Sequence, residues 1–210
     1  MKATADSIGG RRVANREAIE ARLVDAMERL IDSGRGFAAV SVAALAREAG
    51  IARSTFYFYF RDRGMLLRRL LQRVADEIIE ATGVWLALPE ATDRRALDDA
   101  FLGALTVYDR HRAVMTAAIE TATHDASVRA ALDDMMARLI ERVRHAIVRL
   151  RETGRAHPDA DPELAEVLTW SSLYTTHEML GQGGADRVAV LSGHLAHITW
   201  RAVFADGGNR

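Results

Sequence analysis

Apolar side chains recur along this chain at helical spacing and almost nowhere at the alternation a strand requires. Ile19, Leu23, Met27, Leu30 and Ile31 fall on one face of a helix expected over 15–33, which Ser33-Gly34-Arg35-Gly36 ends. Ser41 is placed to cap a short helix from Val42 to Ala49. After Gly50 a second short helix runs from Ile51 to about Phe58. A long helix is expected over 61–85, with Leu66, Leu70, Val74 and Ile78 on one face, up to the break at Leu88-Pro89-Glu90. Five further stretches, 93–110, 112–123, 127–152, 162–180 and 186–204, complete an all-α chain of about nine helices. The breaks between them are His111, Thr123-His124-Asp125, Gly154 to Pro162 and Gly181-Gln182-Gly183-Gly184. Residues 1–14, with Lys2, Arg11 and Arg12, read as a flexible basic arm, and 206–210 as a frayed tail.

Composition narrows the class without naming it. The 210 residues are 49% hydrophobic and 27% charged, an ordinary globular balance that excludes disorder and low complexity. No apolar run approaches the roughly 18 residues that span a bilayer, and MKATADSIGGRR has no apolar h-region, so neither a membrane span nor a secretory signal is expected. The absence of cysteine excludes disulfides, thiol nucleophiles and cysteine-ligated metals, and fits a reducing cytoplasm. Charge is unevenly spread. Residues 1–75 carry 14 Lys+Arg against 8 Asp+Glu, whereas 76–210 carry 14 against 21. An anionic partner for the N-terminal third follows.

The segment Ser41 to Arg63, SVAALAREAGIARSTFYFYFRDR, has the layout of a helix-turn-helix. Val42, Leu45, Ala46 and Ala49 give its first helix an inward face, and the small Ala46 admits a close second helix. Gly50 can take the positive φ of a helix exit, and Ile51 fills the space under the turn. Phe56 and Phe60, four apart, face the same core. The opposite face offers Arg53, Ser54, Thr55, Tyr57 and Tyr59. Arginine reads guanine bidentately, and hydroxyls and phenols reach bases or phosphates, so this face suits a major groove. The helix starts at Ser41 and near Asp62 offer N–H groups to phosphate, and Arg63 adds charge there.

At these residues the chain resembles the TetR family of one-component transcriptional regulators. The resemblance covers the first helix, Ala46, Ala49-Gly50-Ile51, Ser54-Thr55-Phe56-Tyr57-Phe58-Tyr59-Phe60 and the start of the fourth helix. The aromatic run looks most like the ethionamide-regulator (EthR) branch. In the family a lysine usually stands at the position of Arg63 and touches phosphate, and Gly64 replaces a commoner Glu or Ala, which would loosen that helix's first turn. The resemblance implies an all-α homodimer without cofactor. Residues 15–61 would bind double-stranded operator DNA, and 62–205 would carry a small-molecule pocket and the dimer interface. It further implies two reading heads about 34 Å apart on a palindrome. A ligand would release them through a hinge at Arg61-Asp62-Arg63-Gly64, with repression the commoner mode.

Large, soft or hydroxylated residues on inward faces nominate a pocket for a small apolar ligand: Trp85, Phe101, Tyr108, Met115, Ile119, Met136, Ile140, Thr169, Trp170, Ser172 and Thr176. Thr169 and Ser172 lie, by the resemblance, where the EthR branch places polar pocket residues, although that branch has amides there. Leu191, Leu195, Ile198 and Ala202 form a stripe suited to a twofold four-helix interface. The chemistry of an enzyme is missing. There is no phosphate loop, G-x-S-x-G or His-Glu-x-x-His, and Asp98-Asp99 and Asp133-Asp134 splay as helix neighbours. His194 and His197 with His177-Glu178 are the one set spaced for a metal, and they read as surface histidines. The alternative is a helical small-molecule- or metal-binding protein without DNA function.

Overall fold

In the computed structural model the described residues are 3–180 and 185–205, with side chains described from Arg16 and, after the gap, from Asp186. They hold ten α-helices, two 3-10 turns and one isolated bridge, Ala156 to Phe204. The break expected at Gly181–Gly184, the side chains of Lys2, Arg11 and Arg12, and the tail 206–210 lie outside the described residues. The chain divides into two compact units. One is Met1–Leu70 with Ala117–Ala131, and the other is Leu71–Thr116 with Leu132–Arg210. The division falls inside a helix, and it assigns the end of one helix and the start of the next, Ala117–Ala131, to the N-terminal unit.

The N-terminal unit begins with α1 (Ala3–Asp32), whose backbone is helical well before Asn15. A 3-10 turn, Phe37–Ala39, leads to α2 (Val42–Glu48) and α3 (Arg53–Tyr59). The first turns of α4 (Arg63–Ala81), the end of α7 (Arg112–Ala122) and the start of α8 (Ala126–Glu152) complete it. Its core is the stripe the sequence predicts: Leu23, Met27, Leu30 and Ile31 are buried with Leu45, Ala46, Phe56, Phe60, Leu66, Leu67 and Leu70. Ile19 and Ile51 are half-buried.

The start of α4 has a tighter neighbour than its sequence suggests. Asp62 caps it, accepting from the Met65 N–H at 2.8 Å. Asp125 caps α8, accepting from the Ser127 and Val128 N–H groups at 2.8 and 3.2 Å and from the Ser127 hydroxyl at 2.7 Å. These bonds, the Ser127 hydroxyl foremost, hold the Asp125 carboxyl below the usual range. Gly64 lies against that capped turn. A Cβ on Gly64 would stand 2.5 Å from Ser127 Oγ and 3.0 Å from Ser127 Cβ. Glycine is therefore required by a close approach, whatever it costs in helix propensity.

The C-terminal unit contains the rest of α4, α5 (Val84–Ala87), a 3-10 turn Pro89–Ala91, α6 (Arg94–Arg110), the start of α7, most of α8, α9 (Leu164–Leu180) and α10 (Ala185–Val203). The helix expected over 61–85 is cut at Gly83, whose φ of 51° and ψ of −124° leave the helical region and start α5 anew. Asp93 caps α6 through the Ala96 N–H at 2.7 Å. The 153–163 loop is tied down by Arg151, whose Nη1 donates to the Ala160 carbonyl, and by its bridge to Phe204. Phe204 stacks on Trp200 and meets Trp85, with ring centroids at 4.4 and 5.4 Å.

The contact at Gly64 yields a compensation test. Gly64→Ala is expected to destabilise the protein by about 1–3 kcal/mol through overpacking. The same change made in a Ser127→Gly background is expected to cost at least about 1 kcal/mol less. A thermal-denaturation double-mutant cycle checks this, and additive costs would show that the two residues do not collide.

Candidate nucleic-acid interface and ligand cavity

The helix-turn-helix is built by local chemistry at both ends of α2. The Ser41 hydroxyl oxygen accepts from the Ala44 N–H at 3.1 Å, a standard N-cap. At the exit, Gly50 at φ 63° allows the Ile51 N–H to reach the Ala46 carbonyl at 2.9 Å while its own N–H reaches Arg47 at 3.1 Å. That pair of bonds is a Schellman closure. Arg22 of α1 completes the turn, its Nη2 donating to the Ala49 and Gly50 carbonyls.

α3 is seven residues long, too short to hold its shape alone, and is fixed by burying Phe56 and Phe60, whose rings lie 5.9 Å apart. Its other side is bare. Arg53 and Ser54 are exposed, Tyr57 is 51% exposed and Phe58 is 81% exposed, four positions that share one face at i, i+1, i+4 and i+5. Thr55 and Tyr59 are half-buried, and the Arg16 guanidinium stands 6.0 Å over the Tyr59 ring. Between Gly50 and Leu70 the chain has five arginines and one acid, Asp62, which is occupied as a cap. Of the five residues expected outward, Arg53, Ser54 and Tyr57 are exposed and Thr55 and Tyr59 half-buried, while the expectation overlooked Phe58, which the i, i+4 relation to Ser54 would have placed among them.

Arg63 is turned the other way from the phosphate-facing orientation the sequence suggested. Its Nη1 lies within hydrogen-bond distance of the Phe37, Ala38 and Val40 carbonyls, and its Cζ stands 5.1 Å from the Phe37 ring centroid. A long guanidinium next to the clustered carbonyls of a 3-10 turn finds partners inward.

In the C-terminal unit a cavity of about 120 Å³ is lined by six helices and the turn at Thr82. Ile78 of α4, Trp85 and Leu86 of α5, and Ala100, Phe101, Ala104, Leu105 and Tyr108 of α6 form one side. Met135, Met136, Leu139 and Val143 of α8, Leu168, Thr169, Ser172, Leu173 and Thr176 of α9, and Thr199 of α10 form the rest. No lining side chain is charged. Seven nominated residues are brought together here: Trp85, Phe101, Tyr108, Met136, Thr169, Ser172 and Thr176. Four do not line it. Met115 is wholly buried elsewhere on α7, and Ile119 belongs to the N-terminal unit. Ile140 and Trp170 each sit one residue, hence about 100°, past a lining neighbour, and Trp170 stacks on Tyr174 at 5.6 Å instead.

The polar groups in the wall differ in what they have left to offer. The Thr82 and Thr169 hydroxyls donate to the Ile79 and Ala165 carbonyls, both at 2.6 Å, and face the cavity as acceptors only. Ser172, Thr176 and Thr199 hydroxyls make no hydrogen bond among the described residues. The Tyr108 hydroxyl lies 3.2 Å from His177 Nδ1, and burial raises its pKa well above the ordinary phenol value, so it stays protonated.

The α10 stripe divides. Leu191 and Leu195 are buried in the unit's own core, Ala202 is half-buried, and Ile198 is 55% exposed. The buried face is centred on Ser192 and Thr199, polar positions that an apolar pattern discounts, so the stripe straddles its edge. The large apolar side chains left bare on these two helices are Val190 and Ile198 on α10 and Val167, Tyr174 and Met179 on α9. Of the histidines, His177 meets Tyr108 and His197 lies 3.4 Å from Arg94 Nη1. No group of three or more His, Asp or Glu side chains is placed to hold a metal ion among the described residues.

Two family models match this arrangement. Residues 23–70 match the bacterial regulatory proteins of the tetR family, and residues 97–205 match the C-terminal domain of the transcriptional regulator EthR. The chain belongs to the TetR family. It is a transcriptional regulator of the EthR-like kind, with an N-terminal DNA-binding domain and a C-terminal ligand-binding domain, and not an enzyme. Solved TetR-family structures share the fold at low identity. A TetR-family regulator from Mesorhizobium loti MAFF303099 superposes with a TM-score of 0.71 at 14% identity, covering 93% of this chain and 99% of that one. NalD of Pseudomonas aeruginosa, the secondary repressor of the MexAB-OprM multidrug efflux pump, gives 0.67 at 20%, covering 90% and 99%. FadR of Bacillus subtilis, solved with stearoyl-CoA, gives 0.69 at 17%, covering 85% and 96%. Among the described residues no helix is long and apolar enough to cross a membrane.

An apolar void near 150 Å³ binds benzene, so the cavity of this TetR-family protein is close to the size that takes a single ring. Benzene is expected to raise the Tm of the wild-type protein and to leave that of Ser172→Trp, whose indole fills the space, unchanged. Calorimetry checks it. Equal shifts in both proteins would remove Ser172 from the cavity wall.

Proposed function

We propose that the protein is a cytoplasmic repressor that binds a palindromic operator as a homodimer and is released by an uncharged, mainly apolar small molecule. The reading is carried by the exposed face of α3. Arg53, Ser54, Tyr57 and Phe58 stand outward with no acid among them, on a helix fixed from behind by two buried phenylalanines. Arginine and hydroxyls match guanine edges and phosphates, and an exposed phenyl matches the thymine methyl, the apolar group of the major groove. Ser41, whose oxygen caps α2, is left with its hydroxyl proton for phosphate. NalD's role as a repressor supports repression here.

The cavity supports the ligand class. Phosphates such as those of the coenzyme A bound by Bacillus subtilis FadR call for Arg or Lys, and this wall has neither. Hydroxyls of Ser172, Thr176 and Tyr108 suit one or two neutral polar groups. A ligand larger than a ring must widen the cavity. Ile78, in its wall, belongs to α4, the same helix that starts at Arg63, so widening biases the helix that leads to the reading head. Release then requires only that ligand favour the widened state. The bare residues Val167, Tyr174, Val190 and Ile198, with Trp170 beside them, support dimerisation through α9 and α10.

In vitro selection of fragmented genomic DNA at one fixed salt concentration is expected to enrich a palindrome. Arg53→Ala is expected to weaken binding to it by about 1–3 kcal/mol and relax one base position. Enrichment of nothing, after ligand is stripped by refolding, would remove the operator reading. Light scattering at micromolar concentration is expected to give a dimer for the wild type and a monomer for Ile198→Glu. A dimer in both would move the interface elsewhere.

A further inference from the structure

We infer that Arg63 is a positioning residue of the reading head, and that it acts on operator affinity through the backbone rather than by touching phosphate. The inference rests on the DNA-binding reading above and concerns how that site is held. At the end of the 3-10 turn Phe37–Ala39 the Phe37 carbonyl takes one backbone donor, the Val40 N–H, while the Ala44 N–H serves the Ser41 side chain rather than the Val40 carbonyl. Arg63 adds a donor here. Its Nη1 reaches the Phe37 and Ala38 carbonyls at 3.1 Å each and the Val40 carbonyl as well, and the guanidinium lies over the Phe37 ring. Phe37 and Val40 are themselves buried, so this corner is fixed from both sides.

The corner matters because Val40 immediately precedes the N-cap of α2. Arg63 therefore sets how α2 enters, as Arg22 sets how it leaves through the Ala49 and Gly50 carbonyls. Both guanidinia come from helices outside the α2–α3 pair, one from α1 and one from α4. α3 follows α2 through a closed turn, so an error at the entrance of α2 is carried to the face bearing Arg53, Ser54, Tyr57 and Phe58. Three carbonyl dipoles and an aromatic face already attract the Arg63 guanidinium. A phosphate would have to compete with partners that are held in place.

The two roles leave different signatures. A phosphate contact contributes to the salt dependence of binding, about 0.9 in the slope of log K against log salt per phosphate, and is silent in the free protein. A positioning bond is the reverse. Arg63→Met and Arg63→Gln are compared with wild type, the glutamine keeping an N–H donor without the charge. In the free protein, amide hydrogen exchange over Val40–Leu45 is expected to rise about tenfold or more in Arg63→Met, with Leu23–Ile31 of α1 unchanged and part of the protection restored in Arg63→Gln. Affinity for the palindromic duplex from the selection is expected to fall about tenfold or more in Arg63→Met. The salt slope, measured on that duplex and on a random-sequence duplex of equal length, is expected to stay within about 0.3 of wild type. A slope lower by about 0.9 with unchanged exchange makes Arg63 a phosphate contact and overturns the inference. Loss of protection spread through α1 as well makes it a general stability residue and overturns it too. If no duplex is enriched at all, the operator reading fails, and exchange over Val40–Leu45 alone still decides whether Arg63 holds the corner.

Discussion

Everything on the reading face depends on two phenyl rings that never meet a partner. α3 has only seven residues, and a helix of that length is unstable in water because nucleation is not repaid by so few backbone bonds. Phe56, fully buried, and Phe60, at 3% exposure, supply what the backbone cannot. Burying a side chain of that size is worth about 1.5–3 kcal/mol. Since they take one side of the helix, the other side is fixed in direction without any residue on it needing to contribute to stability. Arg53, Ser54, Tyr57 and Phe58 are thus free to be chosen for what they contact. The 81% exposed Phe58 stands there although no folding argument requires it.

The C-terminal unit uses a similar separation on a larger scale. α9 is apolar around most of its circumference, the mark of a helix with neighbours on more than one side. Thr169, Ser172 and Thr176 face the cavity, while Val167 and Tyr174 are bare. Polar atoms in the cavity wall are few and of two kinds. Some are already committed to the helix backbone, as in Thr169, and some remain open, as in Ser172. That distinction decides what a guest molecule can be offered, because a hydroxyl that donates to its own i−4 carbonyl can only accept from a ligand.

How much of this the amino-acid order disclosed differs by residue, and for physical reasons. The helices and the helix-turn-helix were legible because periodicity and turn chemistry are local. Ser41, Gly50 and the Phe56–Phe60 pair each act within one turn of themselves. Thr169 and Ser172 were legible through the family resemblance and Thr176 as a hydroxyl on an inward face, whereas Ser171 and Thr175 on the same helix do not line the cavity. The orientation of Arg63 was not legible, since a six-bond side chain goes wherever tertiary structure clusters carbonyls, and the 3-10 turn that does so lies 23 to 26 residues upstream. The close approach of Gly64 to Ser127 was not legible for the same reason, since Ser127 lies far along the chain. The α10 stripe failed because a buried face centred on Ser192 and Thr199 carries hydroxyls where the pattern looks for methyl groups. Gly83 shows the limit of periodicity itself: apolar spacing continues past it although the helix does not.

The lack of charge in the cavity wall has a consequence for what the protein can sense. Binding to DNA through arginines releases counterions and weakens steeply as salt rises. A guest held by apolar surface and hydroxyls exchanges no ions and is nearly indifferent to salt. The two equilibria therefore respond to different properties of the cell interior. Under the function proposed above, a sudden loss of cell water, which concentrates internal potassium, loosens the grip on DNA with the cavity empty, while a neutral guest does so at constant ionic strength. A regulator built this way has osmotic stress as an unavoidable second input. Any gene under its control has a basal level set by the cell's ionic state as well as by the molecule the cavity accepts.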